Sequence, residues 1–163
     1  MRMSQTIESA NTNDFLKIAA LDRVAWVHTG EAFIADGEHV WRVWCEYGTL
    51  LVSRNHPEEP LLSESGDIAG ALVMFTTNHQ EQFLHKIMVH SQLRGQGIGT
   101  QLMHAALAAA QVPVLLTVDP ENKAAVKLYE KFGFSVRRRI EGYYRDHEHR
   151  YLMVYHPLEP KNL

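Results

Sequence analysis

Apolar residues recur along the chain at two spacings, one typical of helices and one typical of strands. Helical spacing predicts a first helix over residues 14–27 with Asn13 as its cap, and a second, aromatic-rich helix over 36–47 that Gly48 ends. The rest of the pattern predicts, in order, strands at 49–53, 68–76 and 83–90, a helix at 98–111, a strand at 114–118, a helix at 122–132, and strands at 134–140 and 150–155. This order, ααβββαβαββ, is typical of an α+β or α/β layered fold in which helices cover a mixed sheet.

Length and composition narrow the classes of protein that this pattern allows. The chain has 163 residues, 45% of them hydrophobic, so we expect residues 1–163 to form a single domain. Its net charge of -3 does not favour a nucleic-acid partner. A single cysteine, Cys45, excludes an intrachain disulfide and fits a reducing compartment. No apolar run reaches about 18 residues, and the N-terminus is polar, so we expect a cytoplasmic protein with no membrane partner.

The run from Arg94 to Gly99 is the strongest candidate for chemistry. It reads Arg-Gly-Gln-Gly-Ile-Gly and lies between a predicted strand and a predicted helix. Alternating glycines tolerate positive φ, so that successive N–H groups can point into one anion-binding concavity. The helix that follows adds unpaired N–H groups and the positive end of its dipole, and Arg94 adds a cation. The run therefore predicts a phosphate-binding loop.

Two other phosphate-binding motifs fit this run poorly. In a dinucleotide-binding fingerprint the third glycine would fall on Thr100, and residues 91–94 intervene where that fingerprint expects an immediate turn. A nucleotide-triphosphate loop would require a Gly-Lys-Ser/Thr sequence, which does not follow.

The run resembles instead the loop Arg/Gln-x-x-Gly-x-Gly/Ala of the GCN5-related N-acetyltransferase (GNAT) superfamily, with Arg94, Gly97 and Gly99 at the matching positions. A second segment resembles that superfamily's Asn-x-x-Ala-x-x-Leu-Tyr-x-x-x-Gly-Phe pattern, through Asn122, Ala125, Leu128, Tyr129, Gly133 and Phe134. The resemblance covers residues 68–156. It implies a mostly antiparallel central sheet flanked by helices, with a further strand allowed at the N-terminus. It also implies acetyl-CoA as co-substrate and an amine as acceptor.

This resemblance also assigns roles to particular residues. The cofactor pyrophosphate would lie on Arg94, Gly95, Gln96, Gly97, Ile98 and Gly99, with a hydroxyl from Thr100. The backbone of Ile87, Met88 and Val89 would pair with the pantetheine arm, and an N–H of Met88 or Val89 would meet the oxyanion. Asn122 would cap its helix or anchor the neighbouring loop. Tyr129 would give a proton to the departing thiolate, although its position beside an apolar stripe also suits a core aromatic.

Two residues are candidates for the base that takes the proton of the amine. Glu81 precedes the third predicted strand, roughly where related enzymes carry a glutamate, but it also suits a solvated turn. Histidine has an unperturbed pKa near 6.5 that fits proton transfer at neutral pH, but by alternation His85 shares a face with Phe83 and Ile87. On this pattern alone Glu81 is either a base or a solvated turn residue, and His85 is either a cleft residue or a buried core histidine; the sequence leaves both choices open.

The closing segment bears on the acceptor. Residues 141–146 and 151–153 resemble the last hairpin of the N-terminal protein acetyltransferases, including those that act on ribosomal proteins. In that subfamily a small residue and an acid stand where this chain has Arg150 and Tyr151. Peptide N-termini therefore lead the acceptor list, and Tyr143 and Tyr144 are candidates to line the cleft. Small amines, such as polyamines, amino acids or aminoglycosides, come next, and a non-catalytic acyl-CoA-binding module is the alternative from another class.

Several other groups receive a simpler interpretation. Asp146, His147 and His149 lack a third spaced ligand set, so no metal site is expected. The three arginines at 137–139 alternate between faces of a strand and suit an exposed edge. Cys45 lies far in sequence from the motifs, so we expect direct acetyl transfer in a ternary complex without a covalent enzyme intermediate. A homodimer is common in the superfamily, and no residue here establishes one.

Overall fold

The computed structural model describes residues 5–26 and 34–158. The helices are α1 (Phe15–Val24), α2 (Glu38–Tyr47), α3 (Ile98–Ala109) and α4 (Lys123–Lys131). The strands are β1 (Gln5–Ser9), β2 (Thr49–Asn55), β3 (Ile68–Thr76), β4 (Gln82–Val89), β5 (Val114–Val118), β6 (Ser135–Ile140) and β7 (Arg150–Tyr155). They form one mixed, mostly antiparallel sheet in the order β1-β2-β3-β4-β5-β7-β6. The predicted fold class and element order are confirmed, and β1 is the additional N-terminal strand.

Contacts divide the chain into two compact units, and the expectation of a single domain stays a prediction. The first unit comprises Met1–Phe75 and His85–Ala106, and the second comprises Thr76–Leu84 and Leu107–Leu163. Strand β4 and helix α3 contribute residues to both units. Within the described residues, none of the helices is long and apolar enough to cross a bilayer.

The first unit is built around β3. The stretch from Ile68 to Met74 is buried at every position, as in strands covered on both faces. Strand β2 pairs with β3 and with β1, antiparallel in both cases. Helices α1 and α2 contribute Ile18, Leu21 and Trp41 to the core of this unit, and all three side chains are fully buried. Cys45 is partly buried and packs against the same core.

The ends of the first two helices differ from the prediction. Asn13 does not cap α1: it lies within a short 3-10 turn (Thr12–Asp14) that Asn11 caps, and Asp14 stands at the N-cap of α1 without a side-chain capping bond. Asp36 lies ahead of α2 and not within it, since its N–H donates to the carboxylate of Asp22 and not to a helical carbonyl. Val27, the predicted end of the first helix, lies outside the described residues.

The second unit has its own sheet order. Strand β7 lies between β5 and β6 and is antiparallel to both. The start of β4 pairs in parallel with β5 through Gln82 with Val114 and Phe83 with Leu115. Helix α4 ends at Lys131, and two residues further on Gly133 has a φ of 101°, in the left-handed region through which a chain readily leaves a helix.

Candidate active site

The glycine-rich loop is exposed and its backbone is shaped for an anion. Gly95 and Gly97 have φ values of 78° and 84°, in the left-handed region. A Cβ placed on either glycine would meet no atom within 4 Å, so the space beside the loop is open. Arg94 is extended and exposed just before the first of these glycines. Alternating left-handed residues turn neighbouring N–H groups toward one side, which is the geometry of an anion-binding nest.

Helix α3 begins directly after this loop. The carbonyl of Gly97 accepts the N–H of Gln101 at 2.9 Å, so Gly97 stands at the cap of the helix. Helical geometry leaves the N–H groups of Ile98, Gly99 and Thr100 without a carbonyl in the preceding turn. The side chain of Ile98 is 1% exposed and anchors the first turn in the core. Loop and helix start therefore bring several backbone donors to one exposed place, a geometry that suits an anion; phosphate binding there stays a prediction.

His90 holds the entry to the loop, and no sequence pattern pointed to it. Its Nδ1 accepts the N–H of Gln92 at 3.2 Å, so the ring hydrogen is on Nε2, which lies 3.2 Å from the carbonyl oxygen of Ser63. Its own N–H donates to the carbonyl of Ala69 at 2.8 Å. The only advance signal was a histidine at the last position of the predicted strand 83–90, four residues before Arg94.

The strand before the loop offers its backbone rather than its side chains. Met88 is 2% exposed and belongs to the core of the first unit. Ile87 and Val89 are half-buried, and Val89 packs within 3.5 Å of the Cβ position of Gly99. The structure therefore gives these side chains a packing role, in line with the expectation that only their backbone would bind the pantetheine arm.

His85 is partly exposed and surrounded by aromatic rings. Its side chain is 31% exposed, and its Nε2 lies 3.0 Å from Oδ2 of Asp36. The ring centroid lies 5.0 Å from that of Trp44 on α2 and 6.2 Å from that of Phe75 on β3. Of the two interpretations left open by the sequence, a fully buried core histidine does not apply.

Asp36 belongs to a polar network that the sequence did not reveal. Lys86 Nζ donates to Asp36 Oδ2 at 2.8 Å and to both carboxylate oxygens of Asp22 at 2.9 and 3.1 Å. Asp22 is fully buried and also accepts the indole N–H groups of Trp26 and Trp41. Burial alone would raise the pKa of Asp36, but the hydrogen bonds from Lys86 and His85 hold it below its usual value. A lysine within an apolar strand was the available signal, because a buried ammonium requires a carboxylate partner.

The second unit carries the other predicted site residues. Asn122 caps α4, its side chain accepting the N–H of Ala125 at 3.1 Å, so the first of its two predicted roles is confirmed. Tyr129 is half-buried on α4, and its ring meets that of Phe134 edge-on at 6.0 Å. It is therefore not sealed in the core.

Glu81 lies in a tight turn just before β4. Its carbonyl accepts the N–H of Thr77 at 2.8 Å, and the neighbouring Gln80 has a φ of 61°. The Glu81 carboxylate lies 3.3 Å from the guanidinium of Arg137 on β6 and is 19% exposed. One of the two candidate bases, Glu81, is therefore already engaged in an ion pair. The two candidates, Glu81 and His85, belong to different units.

The remaining predicted groups are near the surface. The rings of Tyr143 and Tyr144 meet edge-on, with their centroids 4.7 Å apart. The pKa of Tyr143 is raised, mainly by burial and secondly by the neighbouring Tyr144. His149 pairs with Glu141 at 2.6 Å. Within the described ranges, no three potential ligand side chains gather closely enough to hold a metal ion. Burial raises the pKa of the Cys45 thiol to about 11, so a thiolate is disfavoured there.

The sheet order of the seven strands and the four helices around them match the fold of the GNAT N-acetyltransferases. Residues 19–134 match the model of the Acetyltransferase (GNAT) family. The chain belongs to this family, as its resemblance implied. Acetyl-CoA is the co-substrate of the family.

Known relatives act on different acceptors. The peptidyl-lysine N-acetyltransferase YjaB of Escherichia coli is 30% identical over 125 residues, which cover 65% of this chain and 80% of that protein. N-alpha-acetyltransferase 30 of Xenopus laevis is 33% identical over 99 residues, 55% of this chain, and the match spans about a third (36%) of its own length. The crystal structure of the ribosomal-protein-S18-alanine N-acetyltransferase of Escherichia coli superposes with a TM-score of 0.74 at 21% identity, covering 98% of this chain and 99% of that one. The structural likeness establishes the fold.

Proposed function

We propose that this protein is an N-acetyltransferase that moves the acetyl group of acetyl-CoA to the amino group at a protein or peptide N-terminus. The observation that carries the proposal is the loop of Gly95 and Gly97, both left-handed, at the start of α3. Acetyl-CoA supplies a thioester that an amine can attack. Membership of the family and the named N-alpha-acetyltransferase relative support transfer to an N-terminus.

The residues present suit the binding of acetyl-CoA. Arg94, the loop glycines and the first N–H groups of α3 would hold the pyrophosphate, with the Thr100 hydroxyl at the edge. The backbone of Ile87, Met88 and Val89 would receive the pantetheine arm. No atom lies within 4 Å of a Cβ placed on either left-handed glycine, so no neighbouring side chain crowds the loop at these two residues.

Two side chains would move protons in the reaction. His85 takes the proton of the acceptor amine, and Tyr129 gives a proton to the departing thiolate. We favour His85 over Glu81 as the base because the Glu81 carboxylate is paired with Arg137, whereas His85 faces solvent with part of its ring. The half-buried position of Tyr129 suits a donor that must reach a bound ligand. Transfer is direct, in a ternary complex, because the raised pKa of Cys45 disfavours it as a nucleophile.

Lysine side chains and small amines are the rival acceptors. The YjaB relative is a peptidyl-lysine N-acetyltransferase, and small cationic amines share the same reacting group. A non-catalytic module would bind acetyl-CoA and transfer nothing.

The test offers purified protein acetyl-CoA with four acceptor sets and follows thiol release, with mass spectrometry to locate the acetyl group. The sets are peptides with a free N-terminus and no lysine, the same peptides with a blocked N-terminus and one lysine, polyamines, and amino acids with aminoglycosides. We expect turnover on the first set and a loss of about a hundredfold or more in Tyr129→Phe.

Tyr47→Phe is the matched control, because Tyr47 is 80% exposed on α2. It should retain full activity. Acetyl-CoA should raise the Tm of the wild type and of Tyr129→Phe alike, since binding stabilises the folded state. Turnover on lysine or on small amines alone would overturn the N-terminal acceptor, and binding without any turnover would favour the non-catalytic module.

A further inference from the structure

The contact between His85 and Asp36 determines which ring nitrogen carries hydrogen. Asp36 Oδ2 lies 3.0 Å from Nε2 of His85, and an ionised carboxylate can only accept. In the neutral ring one nitrogen bears hydrogen, so Nε2 donates and Nδ1 keeps its lone pair. Within residues 5–26 and 34–158, Nδ1 of His85 makes no hydrogen bond. The available basic atom of this histidine is therefore Nδ1.

Asp36 is itself fixed by groups from two other elements. Its backbone N–H donates to Asp22 Oδ2 at 2.9 Å, and Lys86 Nζ joins the carboxylates of Asp36 and Asp22. Asp22 lies on α1 and is fully buried, while Lys86 lies on β4 beside His85. Because the carboxylate is held from several directions, it cannot turn away when the charge of His85 changes.

The surroundings of His85 also favour a positive charge that forms on the ring. The elements packed against it present Trp44 from α2 and Phe75 from β3, and neither residue carries charge. Among residues 5–26 and 34–158, the charged groups in these ion pairs are Asp36, Lys86 and, through Lys86, Asp22. Within these pairs one ammonium faces two carboxylates, so a protonated His85 would add a positive charge beside an excess carboxylate.

We propose that Asp36 is a positioning residue that holds His85 in the Nε2–H tautomer and directs Nδ1 toward the acceptor amine. The inference rests on the proposed function and names the atom that acts in it. One N–H bond of the acceptor ammonium breaks and an Nδ1–H bond forms, leaving a neutral amine and an imidazolium beside the Asp36 carboxylate. The proton passes to solvent before the next cycle.

The decisive variant is Asp36→Asn, which keeps the shape of the side chain. Lys86 Nζ and His85 Nε2 share Oδ2 of Asp36, so the Asn amide oxygen would occupy that place, where it is uncharged and a weaker acceptor than the carboxylate. The Nε2–H tautomer and the imidazolium would both lose their charged partner. We expect kcat to fall about a hundredfold or more, as for loss of a general base, with the KM for acetyl-CoA unchanged. Asp36→Glu, which keeps the carboxylate charge, should recover part of kcat. Because Asp36 and His85 would act together, the double variant His85→Gln with Asp36→Asn should have a kcat little lower than that of either single variant.

A spectroscopic measurement reads the tautomer independently of turnover. Long-range ¹⁵N–¹H spectra of the histidine side chains, with His85→Gln to assign the signal, should show Nε2–H in the wild type and a share of Nδ1–H in Asp36→Asn, because the carboxylate no longer fixes the tautomer. Glu38→Gln is the matched control, because it removes a neighbouring carboxylate at a side chain that is 52% exposed and does not contact His85. It should change neither kcat nor the His85 signal.

Three outcomes test whether Asp36 positions His85. Nδ1–H in the wild type, or an Asp36→Asn enzyme within about threefold of wild-type kcat, would overturn the positioning role. A spectrum with Nε2–H together with a kcat loss in Asp36→Asn supports it. If the wild type transfers acetyl to none of the acceptors, the proposed function fails, and the spectrum alone still shows whether Asp36 sets the tautomer.

Discussion

At Gly95 and Gly97 the backbone takes conformations that a side chain makes costly. An L-residue in the left-handed region loses about 1–2 kcal/mol because its Cβ approaches the following carbonyl. Both glycines have open space around them, so the cost of a side chain would come from the backbone and not from a clash. The requirement for glycine is thus conformational and belongs to the shape of the anion-binding nest.

Gly97→Ala should weaken the binding of acetyl-CoA about five- to thirtyfold, which corresponds to about 1–2 kcal/mol of backbone strain in the binding conformation. Isothermal titration with acetyl-CoA measures this directly. Gln96→Ala changes the neighbouring residue, whose φ is not positive, and should bind within about twofold of wild type. Equal affinities for wild type and Gly97→Ala would show that the loop does not bind the cofactor in this conformation.

For His85, the sequence indicated the chemistry and the structure indicated the partner. Its chemistry was visible in the sequence, since a histidine near a predicted cofactor strand is a candidate base. Asp36, its hydrogen-bond partner, lies 49 residues away along the chain, and no local pattern connects the two. The tautomer follows only from that contact.

Among the elements, β3 and the start of α3 approach so closely that only glycine fits between them. A Cβ on Gly70 would lie 2.9 Å from the Ile98 side chain, 2.9 Å from the Met88 carbonyl and 3.1 Å from Leu102. The Met88 contact is to backbone, so the strand itself would have to move. Gly70 thereby sets how near α3 begins to the sheet of the first unit.

Gly70→Ala should lower the free energy of unfolding by about 1–3 kcal/mol through overpacking. Urea denaturation monitored by tryptophan fluorescence gives the value. Ile98→Leu in the same background should recover part of the loss, because it moves the branch away from Cβ and so removes the Cγ2 methyl group that lies 2.9 Å from the Cβ position of Gly70. Gly37→Ala is the control, because a Cβ there meets nothing within 4 Å and φ is already -72°. A Gly70→Ala protein as stable as Gly37→Ala would contradict the packing argument.

The elements themselves were largely predictable. Strands at 68–76, 114–118 and 150–155 have the predicted bounds, because each combines an apolar run with clear polar or glycine boundaries. Strand β2 extends to Asn55, beyond the predicted Ser53, since β1 pairs with it through Gln5 and Asn55. That extension depends on a partner strand more than 40 residues away, which local periodicity does not reveal.

For the molecule as a whole, ion pairs within the first unit couple stability to pH. Arg54 on β2 binds the carboxylates of Glu8, Asp14 and Asp67, and Lys17 on α1 also binds Asp67. Burial alone would raise the pKa of Asp67, but the hydrogen bonds from Lys17 and Arg54 hold it below its usual value. A carboxylate with a lowered folded-state pKa stabilises the fold above its unfolded pKa, and this stability is lost as pH falls through the folded pKa.

We therefore expect Tm to fall as pH drops below about 4, the ordinary pKa of aspartate. Asp67→Asn should lower Tm at pH 7 by about 2–4 °C, for about 1 kcal/mol of lost pairing. It should also lose less stability between pH 5 and pH 3 than the wild type. Thermal unfolding across that range measures both effects. Glu58→Gln, at an exposed position in the same loop, should follow the wild-type curve, and an Asp67→Asn curve parallel to the wild type would refute the linkage.

The sequence by itself determined the order of the elements, the fold class, the anion-binding loop and the family, because each depends on short patterns of apolar periodicity, glycine and capping residues. Only the tertiary structure decided which distant side chains meet: Asp36 with His85, Lys86 with Asp22, and Arg137 with Glu81. These contacts join residues 49 to 64 positions apart, and they exist because a buried or half-buried charge must find an opposite charge wherever the fold brings one near. The sequence was therefore enough to nominate His85 and Glu81 as candidate bases, while the choice between them depended on the residues that contact each one.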